Sequence, residues 1–409
     1  MNLIPAFAKM AGPHRTVYPR QFWLLFWGMM ISTIGSSMVW PFLVVYVSGR
    51  LSLPLTAVAS LITLSSGMSL LSSFIGGPVI DRFGRKWVMV GSLIANAAGY
   101  LLMSQANTFP AFAVIMALNG LVNPLYRIGA DAMMADLIPA PQRPDAYSLL
   151  RMSNNLGISI GPAVGGFISA ISYTIAFTFA SAGLVIYGLL IAIFAVETLP
   201  EQKDSGGSKM QRPLGGYGLL FANRPYIGMI AAFALVQVCA SLIWVLLAIY
   251  TKQNYGITES QYGWIPTTNA LMVVLFQFGV TQVTKRHCPL LMLAVGALFY
   301  SIGNLSVAFG AGFWSFWASM VIMTIGELIL VPTTSTYAAN MAPADQRARY
   351  MSLLGLTWSL ASGIGPVFGG VLSDQVGPRS IWYGGGLIGL AGLVGFILLE
   401  HRQRAQKVL

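Results

Sequence analysis

Long apolar runs broken by short polar interruptions recur along the chain, at a length that predicts membrane-spanning helices. An apolar helix needs about 20 residues to cross a hydrocarbon core of roughly 30 Å. Runs of that size lie near 22–48, 55–79, 86–106, 110–137, 146–171 and 174–196, and again near 226–251, 259–283, 290–309, 313–340, 349–373 and 380–399. No alternation of period two repeats across them, which argues against a β-barrel. The pattern predicts an all-α membrane protein of 12 transmembrane helices.

Composition agrees. The 409 residues are 56% hydrophobic and 9% charged, whereas soluble domains run near a quarter charged, so a soluble fold is excluded. The formal charge of +11 could suggest nucleic acid, but its placement explains it otherwise. Threading the spans with the N-terminus inside puts nearly all loop cations on one side, among them Lys9, Arg82, Arg143, Lys285, Arg347 and Arg402. Only Arg50, Lys252 and Arg379 fall on the other side. This asymmetry predicts that both termini are cytoplasmic. The basic excess then reports orientation and contact with membrane lipids, with no nucleic-acid partner. The first twenty residues show no h-region with a cleavage site, so no removable signal is expected. Cys239 and Cys288 lie at different depths and form neither a disulfide framework nor a metal motif.

The chain also repeats itself at an offset of 204 residues. IPAPQRPDAYSLL, from Ile138 to Leu150, matches MAPADQRARYMSLL, from Met341 to Leu354, and Gly161, Pro162, Gly165 and Gly166 match Gly365, Pro366, Gly369 and Gly370. Parallel repeats of six spans place a central site between two bundles. The predicted domains are a six-helix bundle over 1–200, a polar Gly/Ser-rich cytoplasmic linker over 201–224, and a second six-helix bundle over 225–409.

Gly77, Asp81, Arg82, Gly84, Arg85 and Lys86 resemble, in order and spacing, the loop between spans two and three of the major facilitator superfamily. GISIGPAVGG, from Gly157 to Gly166, resembles the span-five motif of its 12-span drug:proton antiporter branch. TIGELILVP (Thr324 to Pro332) and WIPTTNA (Trp264 to Ala270) resemble spans ten and eight of MdtH- and LmrP-like multidrug transporters. The resemblance implies two pseudo-symmetric bundles, a proton-coupled exporter of cationic or amphipathic small molecules, and a conformational latch in the Gly77–Lys86 stretch. Physically, Asp81 can accept hydrogen bonds from Arg82, Arg85 or a neighbouring helix N-terminus, while Gly77 and Gly84 suit packing and turning. The competing reading is a purely topogenic loop. At the 204 offset Lys285 replaces Asp81 and Thr281 replaces Gly77, so the second half lacks the motif.

Gly157, Gly161 and Gly165 share a helix face that permits close approach. Pro162 removes a backbone donor, and the resemblance makes this stretch a hinge; generic packing is the alternative. Gly384, Gly386 and Gly389 form a nominal G-x-G-x-x-G inside a span, which is expected to pack rather than bind a dinucleotide.

Candidate coupling residues follow from the cost of charge at membrane depth. Glu327 sits mid-span in span ten and is the expected proton site. In span four Asn119, Asn123, Arg127 and Asp131 follow at four-residue spacing on one face, with Arg127 and Asp131 able to pair. Arg127 is also expected to lower the proton affinity of a nearby carboxylate. The 204 offset aligns Asn123 with Glu327. Asp136 sits where the resembled group has an acidic residue. A structural role competes at each position. For the cargo, Met38, Trp40, Gln237, Trp244, Asn269 and Trp358, with Asn119 and Asn123, offer aromatic and amide groups suited to lipophilic cations.

No nucleotide-binding loop, nucleophile–base motif or pore loop appears. The expectation is a secondary transporter, not an enzyme, working as a monomer in a bacterial plasma membrane without cofactor or metal. A sugar, metabolite or glycolipid cargo on the same fold is the alternative, since Asn119, Asn123, Gln237 and Asn269 would serve it. A membrane enzyme or receptor would need a catalytic constellation or appended domain that the sequence lacks.

Overall fold

The computed structural model describes residues 18–139, 142–199, 220, 222–342 and 347–408. Each of the expected runs falls on a helix, and no strand occurs among the described residues. In chain order the helices are α1 (Arg20–Leu51), α2 (Leu55–Phe83), α3 (Arg85–Gln105), α4 (Phe109–Leu137), α5 (Arg143–Ile171) and α6 (Tyr173–Phe194). The second set is α7 (Arg224–Tyr255), α8 (Glu259–Thr284), α9 (Pro289–Phe309), α10 (Phe313–Met341), α11 (Arg347–Gln375) and α12 (Ser380–Val408). Most of the expected linker and Pro343 to Gln346, in the second copy of the repeated motif, lie outside the described residues.

Eleven of these helices are long and apolar enough to cross a membrane. The exception is α5, which carries Arg151, Asn154 and Asn155. It packs against α1 and α8, so much of its circumference never needs to be compatible with lipid. Arg143, at its start, explains part of the repeated motif: its guanidinium donates to the carbonyls of Ile138 at 3.0 Å and Ala135 at 2.6 Å. It thereby caps the end of α4.

The 204-residue repeat reappears as packing. Gly157, Gly161 and Gly165 on α5 lie against Thr33, Ser37 and Met38 of α1, while Gly365 and Gly369 on α11 lie against Ser241 and Leu242 of α7. The next glycine in each copy crosses to the other half. Gly166 faces the backbone of Glu259 on α8, and a Cβ at Gly370 would meet the Cα of Thr56 on α2 at 2.8 Å. Small residues of this kind let helix backbones approach where side chains would hold them apart. Thus α5 with α8, and α11 with α2, form the two related seams between the halves. Gly384, Gly386 and Gly389 also pack as expected, against Leu372, Leu305 and Ser301.

Hydrogen bonds between the halves gather at the end away from the termini. Asp374 of α11 binds Leu55 and Thr56 at the start of α2, and the Thr63 hydroxyl donates to the Gly363 carbonyl. Thr267 donates to the Ser159 carbonyl at 3.0 Å, Tyr173 to Glu259 at 2.5 Å, and Gln253 to Ser48 at 3.3 Å. Lys252 pairs with Glu259 and lies 5.8 Å from the Tyr173 ring centre. Among the described residues no hydrogen bond or ion pair joins the halves at the end that carries the termini. Among the described residues, then, polar contacts join the halves at one end and not at the other.

Candidate functional site

A cavity of about 710 Å³ lies between the bundles. Its walls are copies of one another. Residues 204 apart line it in pairs: Thr33 with Gln237, Trp40 with Trp244, Asn96 with Tyr300, Asn123 with Glu327, Arg127 with Val331, and Asn154 with Trp358. The first half contributes most of the amides and hydroxyls and one cation, the second one carboxylate, and each half contributes three aromatic rings. Only the tryptophan pair is identical. Trp40 begins a short 3₁₀ turn, Trp40–Phe42, that interrupts α1 at Pro41, while α7 runs unbroken past Trp244.

Glu327 reaches this cavity from α10, while Gly326, about 100° round the helix, packs against α9. A Cβ on Gly326 would lie 2.7 Å from the Gly296 carbonyl of α9. The Asn269 side-chain amide donates to Glu327 Oε2 at 2.7 Å and to the Thr324 hydroxyl at 2.9 Å, and Thr324 donates onward to the Met320 carbonyl. Oε1 makes no hydrogen bond among the described residues. Asn269 is itself buried and orients the carboxylate rather than lining the cavity. Arg151 of α5 is the cation whose field reaches Glu327.

The α4 stripe divides. Asn123 and Arg127 line the cavity, but Asn119 packs against Gly99 of α3. Arg127 and Asp131 do not close into the expected pair. The ion pairs among the described residues are Arg85–Asp136, Lys252–Glu259 and Arg404–Glu400. The electrostatic influence of Arg127 reaches Asp131 without contact. Asp136 faces away from the cavity: it binds Arg85 Nε at 2.8 Å and accepts the Thr198 hydroxyl at 2.9 Å. Met38 is buried where Gly165 crosses α1. Trp40, Gln237, Trp244 and Trp358 line the cavity, and so does the expected hinge residue Pro162, which lies inside the continuous α5.

The Gly77–Lys86 stretch is less of a loop than its sequence implied. α2 continues through Gly77, Pro78, Asp81 and Arg82 to Phe83, and α3 begins at Arg85. Gly84 alone makes the turn, at φ 86° and ψ 153°, a region of backbone conformation that is essentially open to glycine only. Gly77 has open space around it and neither turns nor packs. Asp81 and Arg82 are exposed, and Asp81 has no hydrogen-bond or ion-pair partner among the described residues. Lys86 lies 5.1 Å from the Trp87 ring centre.

The acceptors expected of Asp81 come from elsewhere. Glu197, just beyond α6, receives the backbone N–H groups of Arg85 and Lys86, each at 3.0 Å. It also receives those of Thr198 and Leu199. A carboxylate here meets the positive end of α3. Burial by itself would raise the pKa of Glu197, but these four backbone donors together hold it below the ordinary value. Sequence reading missed Glu197; an isolated carboxylate directly after an apolar run was its signal.

Among the described residues no cluster of His, Cys, Asp and Glu could hold a metal ion. Comparison with known proteins places these features in context. A profile of the Major Facilitator Superfamily matches residues 25–241 and 229–408. A Na(+), Li(+), K(+)/H(+) antiporter of Planococcus maritimus is 25% identical over 88% of this chain and 91% of its own. Quinolone resistance protein NorA of Staphylococcus aureus is 23% identical over 95% of this chain and 98% of its own. In structure, a POT family transporter crystallised with a thioalcohol-conjugated peptide superposes with a TM-score of 0.78 at 16% identity, over 96% and 97% of the two chains.

Proposed function

The chain belongs to the Major Facilitator Superfamily and is an integral membrane transporter rather than an enzyme, and on that premise we propose that it is a proton-coupled antiporter exporting cationic or amphipathic small molecules. The observation that carries this reading is Glu327. A carboxylate on the cavity wall, held through one oxygen by Asn269 with its other oxygen unpartnered among the described residues, can exchange a proton or a cationic cargo as access alternates.

On this reading the basic loops lie in the cytoplasm with both termini, at the end where no polar contact joins the halves among the described residues. The described state then faces inward, ready for cargo from the cytoplasm or inner leaflet. Closing that end brings the start of α11 towards the end of α2, where Asp81 now stands free. This supports the latch role for the Gly77–Lys86 stretch, with Arg85 already anchored by Asp136. After the opposite end opens, protonation of Glu327 from outside displaces the cargo, and Gly157, Gly161, Pro162 and Gly165 let α5 rock on α1. The antiporter relative and the quinolone resistance relative support proton exchange and drug export respectively. A cavity of about 710 Å³ lined by three tryptophans fits a drug-sized organic cargo better than a bare metal cation.

The amide and hydroxyl wall of the first half favours one second reading, a neutral polar cargo such as a sugar or metabolite. Proteoliposome assays separate the two. Under the antiport reading an imposed pH gradient drives uptake of a lipophilic cation such as ethidium, and Glu327→Gln abolishes that drive. Gradient-driven transport surviving in Glu327→Gln would refute the assignment.

A further inference from the structure

The sequence leaves Arg50, Lys252 and Arg379 as the cations at the end away from the termini. Lys252 is answered by Glu259, and Arg50 lies 6.0 Å from the Tyr46 ring centre. Arg379 forms no ion pair among the described residues. It stands in the turn between α11 and α12, on the wall of a second cavity of about 540 Å³ with no carboxylate in its lining. The other wall is the end of α7. Tyr250 is buried there, its ring 5.0 Å from that of Trp382 and 6.0 Å from that of Phe316. Tyr255 packs on the same Phe316 at 5.0 Å. This aromatic cluster holds the two tyrosine hydroxyls 3.4 Å apart at the cavity wall, and the Arg379 guanidinium lies beside both. One hydroxyl donates to the other, so the pair keeps one O–H without an acceptor among the described residues. A guanidinium with a spare phenolic O–H and no acidic neighbour is a donor set for an anion with several oxygens, as a phosphate has. Asn254, in the same lining, spends its amide N–H on the Tyr250 carbonyl at 2.9 Å and presents its oxygen to a hydroxyl.

Position separates a lipid phosphate from one in solution. Tyr383 also lines the cavity, and its exposed ring lies 5.8 Å from that of exposed Phe309 at the end of α9. Exposed aromatic rings at the end of membrane-spanning helices mark the depth of lipid headgroups. The donor set therefore stands where headgroup meets hydrocarbon. We propose that this cavity binds an anionic phospholipid, in the outer leaflet when the termini are cytoplasmic. The lipid phosphate takes the Arg379 guanidinium and the spare tyrosine O–H, a headgroup hydroxyl reaches Asn254, and the acyl chains run past Tyr383 and Phe309. The site shares no lining residue with the central cavity.

The test places purified full-length protein in nanodiscs of phosphatidylcholine doped with a phosphatidylglycerol whose head glycerol carries a photoreactive diazirine. Crosslinked peptides are read by mass spectrometry. Label is expected on segments 250–255 and 376–383. Unlabelled phosphatidylglycerol should displace it at about one tenth of the concentration that phosphatidylethanolamine requires. Glycerophosphoglycerol, the same headgroup without chains, should not displace it. Arg379→Gln should cut the label on these segments about tenfold and Tyr255→Phe, which keeps the ring, about threefold. Label drawn to the basic end around Lys86 and the thermal transition should not change in either variant. Equal displacement by phosphatidylethanolamine, label that survives Arg379→Gln, or absence of label from both segments overturns the proposal. Displacement by glycerophosphoglycerol as effective as by the lipid assigns the site to a soluble phosphate ester and overturns it equally. None of these outcomes depends on Glu327 or on the transported cargo.

Discussion

Asp374 of α11 caps α2 of the opposite half at Thr56, accepting its backbone N–H at 2.9 Å and its hydroxyl at 2.6 Å, with the Leu55 N–H at 3.2 Å. Ordinary N-caps come from the residue that starts the helix. The residue before α2 is Pro54, which makes no side-chain cap, so α2 borrows its cap across the seam, and that cap exists only while this end is closed.

Asp374→Ala is therefore expected to favour the state opened at that end. An N-cap contributes about 1 kcal/mol, and this one is exposed, so the population ratio should shift by roughly three- to tenfold. Spin labels on α2 and α11 near this end would report the change as a longer distance component. An unchanged distance distribution would show that the cap follows closure without stabilising it.

Glu197 gives the fold a dependence on acid that can be worked out in sign. Its pKa is held below the ordinary value near 4.5, so the unfolded chain binds its proton more readily than the folded one. Stability from this group is fully present above about pH 4.5 and is lost as pH falls through the lower folded value. The thermal unfolding temperature of the wild type should fall on acidification below that point, and Glu197→Gln should flatten this part of the profile while lowering stability at neutral pH. Profiles that remain parallel would remove Glu197 from its role at the start of α3.

The helices and their repeat were legible because both leave marks in one dimension: apolar length for the spans, and matched Gly-Pro-Gly-Gly spacing for α5 and α11. Much of the cavity wall was legible for the same reason, since the 204 offset that aligned Asn123 with Glu327 also pairs Trp40 with Trp244. What escaped depends on contacts between distant segments. Nothing local says that Glu197 caps α3, that Asp374 caps α2, or that Asp136 turns towards Arg85 instead of the cavity. The Arg127–Asp131 pairing failed because four-residue spacing fixes a shared face but not rotamers, and Gly77 misled because a glycine before a charged run looks the same inside a helix as in a turn.

The Lys252–Glu259–Tyr173 group, at the same closed end as Asp374, is built differently and should respond differently. Glu259 has a side chain only 8% exposed, while that of Lys252 is 42% exposed. Tyr173, from the other half, donates to the same carboxylate oxygen. Removing Lys252 leaves a shielded carboxylate with its tyrosine donor but without its counter-ion, whereas removing the charge of Glu259 leaves an ammonium that reaches water. Breaking one side of a pair costs more when the stranded charge is the buried one. Lys252→Met is accordingly expected to lower the thermal transition and open this end more than Glu259→Gln does. The double variant should recover part of the loss, because the stranded charge is gone. Unfolding temperatures of the three variants form a double-mutant cycle. If Lys252→Met is no worse than Glu259→Gln, or the double variant shows the sum of the single losses, the asymmetry of exposure does not govern this clasp.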